Sequence, residues 1–424
     1  MKKFRFFSAL LAVLLVLSLV VVGCAPKEEP KGDTAKDEKV TLRFAHWRGE
    51  DRDAFNEIAK KFTAENPNIT IEQDISNSQQ YQTKIQAEVR AQGGPDIFTA
   101  MPGAVFAGLL TTQVFYELNG EDFISRVPDQ LLLPGQDGDK QYAIPYQLVF
   151  NIPVFNKAIL EEIGYTEDKL PKDWAGFLEM AEKIKAKGIT PIIFDSEIGP
   201  GQFINPMLMN NMPEDDTLSK VETGETKLTD EWFVKTLEQF KELNDKGYFQ
   251  KDVLGTKKAG AAALFAQGKG ALLAQGSYMM ATNKEANPDL KQGLYAPITV
   301  PADKMKYEGI HTATFMIGLN KNSKNLEAAK KFMEFLFRPE IAADYAKATG
   351  QMLTIKDVKY ESEELAAQTT WLDKKTLFQP RYTLKITEVS KATLDAVTDV
   401  IGGMSPEDAA QKAQAEVERA LKNK

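Results

Sequence analysis

Apolar residues recur along this chain in two rhythms. Residues 40–47 (VTLRFAHW) are β-branched and alternate, which predicts a strand. In the following stretch Phe55, Ile58, Ala59 and Phe62 fall at i, i+3, i+4 and i+7, one apolar face of a helix that stops before Asn66-Pro67. ITIEQDI, residues 69–75, returns to the strand pattern. The same alternation recurs downstream. Lys172-Asp173-Trp174 opens a helix with Trp174, Phe177, Leu178, Ala181 and Ile184 on one face, ended by Gly188 and followed by ITPIIF. Residues 231–246 form another helix, closed by Gly247, and AAALFAQGKGALLAQG predicts helix, turn and buried strand. ATFMIGL predicts a strand, residues 326–337 a helix, and Ser405-Pro406-Glu407-Asp408 a capped helix start. No period of 20–50 residues repeats. Strands alternating with helices predict α/β layers around mostly parallel sheets.

The amino terminus breaks the pattern. Lys2, Lys3 and Arg5 precede an apolar run over residues 6–22, interrupted only by Ser8 and Ser18, as in a secretory signal. The run is also close to the length of a membrane-spanning helix, so an uncleaved anchor is the alternative. Val21-Val22-Gly23-Cys24 resembles a bacterial lipoprotein box, with valine at Val21 where leucine is commoner, and favours a lipid on Cys24. One acyl chain alone holds a protein only marginally to a bilayer, whereas two or more anchor it. Residues 27–39 are charged at nine of thirteen positions and include Pro30 and Gly32, a composition that predicts a disordered tether. We therefore expect a signal peptide at 1–23 and a lipidated cysteine with tether at 24–39.

Composition excludes more than it selects. Cys24 is the only cysteine, so neither an intrachain disulfide nor a thiolate zinc site is possible. The net charge of −8, made more acidic if residues 1–23 are removed, argues against nucleic acid. The roughly 385 residues after the tether exceed the size at which one core keeps growing, which predicts two domains. With His46 and His311 the only histidines, a multi-histidine metal site is not expected. There is no G-x-S-x-G elbow. The Gly268-Lys269 stretch has Ala263 and Gly270 where a P-loop needs glycine and Ser or Thr. Sixty acidic residues neither support nor exclude a glycosidase pair. The expectation is no catalysis, no metal and no cofactor.

Aromatic and polar residues coincide at predicted strand ends. HWRGED places His46, Trp47, Arg48 and Glu50 in the loop leaving the first strand, where α/β sheets bind ligands. Sugars offer C–H faces to aromatic rings and hydroxyls to polar groups around them; the alternative is a core tryptophan beside a solvated turn. YAIPYQLVFNIPVFNK, broken by Pro145 and Pro153, is either a buried strand or a crossing between domains with Tyr146, Gln147 and Phe150 facing a cleft. QGSYMM ends a strand at Tyr278, either a core tyrosine or a ring offered to ligand.

Taken in order, these pieces resemble the extracellular solute-binding proteins of sugar-importing ABC transporters, the maltose-binding-like group. GGPDIFTAMPG is similar to the family's Gly-x-Pro-Asp segment, in which Asp96 holds a turn. Phe155-Asn156-Lys157 stands where Tyr-Asn-Lys is common, and LPKDWAGFLEMAEKIKAKGITPI resembles the Pro-x-Thr-Trp helix with Asp173 for threonine. ALFAQGKGALLAQGSY resembles Phe-x-x-Gly-x-x-Ala-Met followed by Gly-x-Trp, with Tyr278 for the tryptophan. The resemblance implies a two-lobed periplasmic-binding-protein-like fold (type II), each lobe a mostly parallel sheet flanked by helices. It implies discontinuous lobes, 40–147 with 313–340 and 148–312 with 341–424. Hinge crossings then fall near 145–151, 311–315 and within 338–354. It implies ligand contacts at Tyr278 and at Trp47, Arg48 and Glu50, with further ones in Gln202-Phe203 and Arg381-Tyr382, Phe203 and Arg381 foremost, and at His311 and Trp371. Tyrosine offers a smaller platform than tryptophan and favours a short ligand.

The function so implied is capture: a monomeric receptor on the extracytoplasmic face of the cell membrane, lipid-anchored through Cys24. It would bind a small carbohydrate and deliver it to the transmembrane subunits of an ABC permease. The rivals are a same-fold receptor for a peptide or polyamine, a surface glycoside hydrolase, and a scaffold lipoprotein. Arg48, His46 and glutamines beside the aromatics suit neutral hydroxyls better than a cationic ligand.

Overall fold

The computed structural model describes residues 39–91 and 94–422. The signal segment, Cys24 and the tether up to Glu38 lie outside the described residues. Among the described residues no helix is long and apolar enough to cross a membrane.

The strands are β1 (Val40–His46), β2 (Ile69–Ile75), β3 (Ile97–Ala100), β4 (Gln136–Asp137), β5 (Lys140–Gln141), β6 (Ala143–Phe150), β7 (Val154–Asn156), β8 (Thr190–Ile193), β9 (Gly270–Leu273), β10 (Gln292–Leu294), β11 (Gly309–Leu319), β12 (Met352–Leu353) and β13 (Thr376–Phe378). They form two main sheets. The first runs β12-β6-β11-β3-β1-β2, with β13 beside β11, and the second runs β10-β7-β9-β8. β1 pairs in parallel with β2 and β3, as a strand-helix-strand start requires. Its helix Arg52–Glu65 buries Phe55, Ile58 and Phe62, the face expected from their spacing.

Both sheets are mixed rather than mostly parallel. β11 is antiparallel to β3 and β6, and in the second sheet only β8 and β9 run parallel. The cause is the crossing itself: a chain that leaves one sheet and returns after an excursion through the other re-enters from the opposite end. β6 stays in the first sheet through Phe150, and β11 rejoins it at Gly309. The switch expected at residue 341 does not match sheet membership. Helix Pro339–Thr349 packs on helix Arg52–Glu65, and β12 pairs with β6, so both belong with the first sheet. Helices Thr387–Ile401 and Pro406–Lys422 pack on each other and on helix Glu231–Asp245, on the side of the second sheet.

Local chemistry sets several of these boundaries. Asp173 accepts the Gly176 N–H at 2.7 Å and caps helix Trp174–Ala186. Asp96 accepts the Arg43 N–H at 2.8 Å and the Ser323 hydroxyl at 2.5 Å, fastening the turn before β3 to β1 and to the turn after β11.

His46 closes β1 and belongs to the core. It is fully buried among the rings of Phe44, Phe55 and Phe315. Its Nδ1 accepts the Arg48 N–H at 3.2 Å and its Nε2 lies 2.9 Å from Gln73 Oε1, so the neutral Nε2–H form satisfies both. Burial holds its pKa at about 4. The unfolded chain therefore binds the extra proton first, between pH 6.5 and about 4, and acid withdraws stability through that window. Chemical denaturation at pH 7 and pH 4.5 is expected to show His46→Gln losing about 2 kcal/mol less than the parent protein over that interval; equal losses would place His46 in solvent.

Candidate functional site

A cavity of about 680 Å³ opens between the two sheets, lined by residues of both. The first sheet contributes loops at the carboxyl ends of its parallel strands, where side chains from separate segments converge. Trp47, Arg48 and Glu50 follow β1, Ser76 and Asn77 follow β2, and Met101 follows β3. Gln147 and Val149 of β6 and Thr314 of β11 form the floor. From the other side come Glu197, Gln202, Lys258 and Tyr278, with Tyr382 reaching in from the C-terminal segment.

The wall on the first sheet is made of groups that satisfy one another. Arg48 is 6% exposed and donates from Nε to Asp51 Oδ2 at 2.7 Å and from Nη2 to Oδ1 at 3.2 Å, with Glu50 3.3 Å from Nη1. Burial alone would lower the guanidinium pKa; the carboxylates of Asp51 and Glu50 more than offset that and hold it above the ordinary arginine value. Asp51 also accepts the Tyr345 hydroxyl at 2.5 Å, and that hydroxyl accepts from Gln147 Nε2 at 2.6 Å. Trp47 leans edge-on against Phe315, 5.0 Å between ring centroids, and against Tyr81 at 5.5 Å. Phe315 has φ of 50°, a left-handed conformation a bulky side chain rarely adopts, and its buried ring fills the space between Trp47 and Phe55.

The opposite wall carries open valences. Tyr278 is half-buried, its ring 5.6 Å from the Lys258 ammonium. Its hydroxyl, Gln202 Oε1 and Asn151 Oδ1 are all buried without a partner among the described residues. Burial pushes the Tyr278 hydroxyl well above its ordinary pKa, so it remains a neutral donor. Gly276 permits the arrangement: a Cβ there would fall 2.6 Å from Asn151 Oδ1 and 2.8 Å from the Tyr278 ring. The Lys258 backbone N–H donates to Glu197 at 2.9 Å, placing one cation and one anion on this side.

Of the residues singled out in the sequence, the cavity gathers Trp47, Arg48, Glu50, Gln147 and Tyr278 and, from the two paired segments, Gln202 and Tyr382. Seven lie elsewhere. His46 is in the core, as is Tyr146, whose ring packs on Phe337 and Tyr345. Adjacent strand residues face opposite ways, so Tyr146 and Gln147 could not both line the cavity. Phe203 is buried against Phe194 and Phe240, and its neighbour Gln202 points to the cavity instead. Arg381 binds the Gly201 carbonyl at 3.1 Å and stacks over Tyr382, which is the lining residue. His311 faces a separate hollow of about 620 Å³ with Phe106 and Phe378. Trp371, 6% exposed, and Phe150, also expected at the cleft, pack on each other away from the cavity. Glu197 and Lys258 were not anticipated; each sits beside a helix start whose sequence carries no signal of which way its side chain points.

Known proteins place this architecture. The multiple sugar-binding protein of Streptococcus mutans serotype c is 22% identical over 369 residues, 82% of this chain and 83% of that one. A chitin oligosaccharide binding protein superposes with a TM-score of 0.78 at 21% identity, covering 91% of this chain and 99% of its own. RafE in complex with raffinose gives 0.75 at 20% identity, covering 90% and 100%. These structures share the two-lobed fold. Residues 48–343 match the family described as bacterial extracellular solute-binding protein. The chain belongs to the bacterial extracellular solute-binding protein family.

Proposed function

We propose that this protein is the substrate-binding receptor of an ABC importer and that its solute is a small carbohydrate. The observation carrying the reading is the pairing across the cavity of two aromatic rings, Trp47 and Tyr278, with unpartnered oxygens of Gln202, Asn151 and Tyr278 around one of them. Rings accept the C–H faces of a pyranose, while the oxygens accept or exchange hydrogen bonds with its hydroxyls. The charges are balanced, with Arg48 and Lys258 set against Glu50 and Glu197. A polyamine would need uncompensated carboxylates. The sugars named for the related proteins, raffinose and chitin oligosaccharides among them, support the same reading.

The work is capture without bond chemistry. Sugar bound to one wall draws the other onto it, and closure is favoured by the additional contacts of the closed form. The closed receptor would present both lobe faces to a membrane permease as a monomer. A lipid on Cys24 and the charged tether would keep it close to that partner and raise its effective concentration.

A full-length preparation in mild detergent, melted against raffinose and chitin oligosaccharides, is expected to gain about 2.7 kcal/mol with a true ligand at 100 times its Kd. Tyr278→Ala is expected to weaken that ligand at least tenfold while the protein still melts cooperatively, on the order of the loss of a buried aromatic anchor. No shift with any saccharide, or an unchanged Kd in Tyr278→Ala, would overturn the reading. Tyr345→Phe removes a hydrogen bond to the buried Asp51 carboxylate without touching the cavity. Urea titration is expected to show a loss of about 1–3 kcal/mol, and calorimetry a weaker sugar affinity because Arg48 and Gln147 lose their support.

A further inference from the structure

Trp371 marks a second hollow, away from the cavity between the walls. The hollow is about 290 Å³ and adjoins a smaller one of about 70 Å³ that shares Trp371 and Lys374. Its position is behind the crossings. The Trp371 ring packs on Phe150, the last residue of β6, and a Cβ on Gly309, the first of β11, would fall 2.5 Å from it.

Its polar groups divide into committed acceptors and uncommitted donors. Glu167 is paired with Lys157 at 3.0 Å, and Asp168 accepts the Thr166 hydroxyl at 2.5 Å. Gln368, by contrast, is 1% exposed and its Nε2 has no partner among the described residues. The Lys374 ammonium lies 3.8 Å over the Trp371 ring, with no carboxylate within 4.0 Å among the described residues. Burial holds its pKa below the ordinary lysine value. A buried amide donor left unpaired costs stability, and an apolar side chain of the same shape would avoid that cost.

We propose that this hollow is a second ligand site, for a small organic carboxylate. The carboxylate oxygens would accept from Gln368 Nε2 and from Lys374, and the carbon body would lie against Trp371, Met280 and Leu294. Glu308 and Glu167 act on the lysine charge from beyond contact distance and only partly offset its burial; a carboxylate in the hollow would answer both donors directly, which a neutral sugar would not. The proposal is independent of what the larger cavity holds.

Calorimetric titration of the full chain with sodium acetate, lactate and glucuronate, at ionic strength fixed with sodium chloride, tests it. Saturable binding of one carboxylate per chain is expected, weakened at least tenfold in Lys374→Met and in Gln368→Leu and retained in Tyr278→Ala. Gln368→Leu is further expected to raise the melting temperature, since it removes the unpaired donor, which separates loss of a site from loss of fold. The proposal is overturned if none of the three acids binds saturably. It is equally overturned if binding survives both hollow variants, or disappears only in Tyr278→Ala.

Discussion

One buried carboxylate organises the wall on the first sheet. Asp51 receives hydrogen bonds from Arg48 in its own loop and from Tyr345 on helix Pro339–Thr349, and that tyrosine is held in turn by Gln147 on β6. A charge taken out of water is tolerable only when every lone pair is answered, and removing one partner leaves the others uncompensated. Three segments far apart in sequence are therefore fixed to a common point. Two of the groups so fixed, Arg48 and Gln147, are also surface of the cavity. The orientation of this wall is settled by folding, before any solute arrives.

A second constraint lies where the chain crosses. Gln379 is fully buried, and its single amide ties two of the crossings to helix Gly199–Leu208. Its Oε1 accepts from Asn151, just beyond β6, and from Thr312 of β11 at 2.5 Å, while its Nε2 lies 3.5 Å from the Gly201 carbonyl on helix Gly199–Leu208. Side-chain hydrogen bonds of this kind permit small rotations that a continuous sheet would resist. The first sheet ends here and the second begins. Trp371, wedged between Phe150 and Gly309, bounds the same place from behind.

Legibility in the sequence followed the range of the interaction. The helical spacing of Phe55, Ile58 and Phe62, the cap at Asp173 and the start at Ser405 depend on residues within one turn, and each has its expected partner. Strand direction is not legible in the sequence, because antiparallel pairing of β11 with β6 is decided by more than 150 residues of intervening path, which no local rhythm encodes. β12 and β13 span two and three residues, too short to show a period. In the site, Trp47, Arg48 and Glu50 were legible because a strand end fixes them in place. In Gln202-Phe203 and Arg381-Tyr382 the sequence marks the segment, and which member faces the cavity depends on how a helix or turn docks. Tyr146 carried a usable signal, since alternation along β6 allowed only one of Tyr146 and Gln147 to face inward.

The two walls differ in a way that bears on closure. On the first sheet, charged groups are already paired, so a solute there exchanges water for contacts with little change in the wall itself. On the second, Gln202 and Tyr278 hold buried polar atoms with no partner, each costing free energy until something bonds to it. A ligand shifts a two-state equilibrium only by its differential affinity for the two states. Contacts to the paired wall are available in the open form as much as in the closed one and contribute little to that difference. In the proposed capture, the unpaired atoms opposite would supply it, because a solute resting on the first wall would satisfy them once the lobes approach. The proposed capture thus assigns affinity in the open form and drive toward closure to different sides of the cavity, and substitutions at Gln202 or Tyr278 would act on closure where those at Arg48 would act on docking.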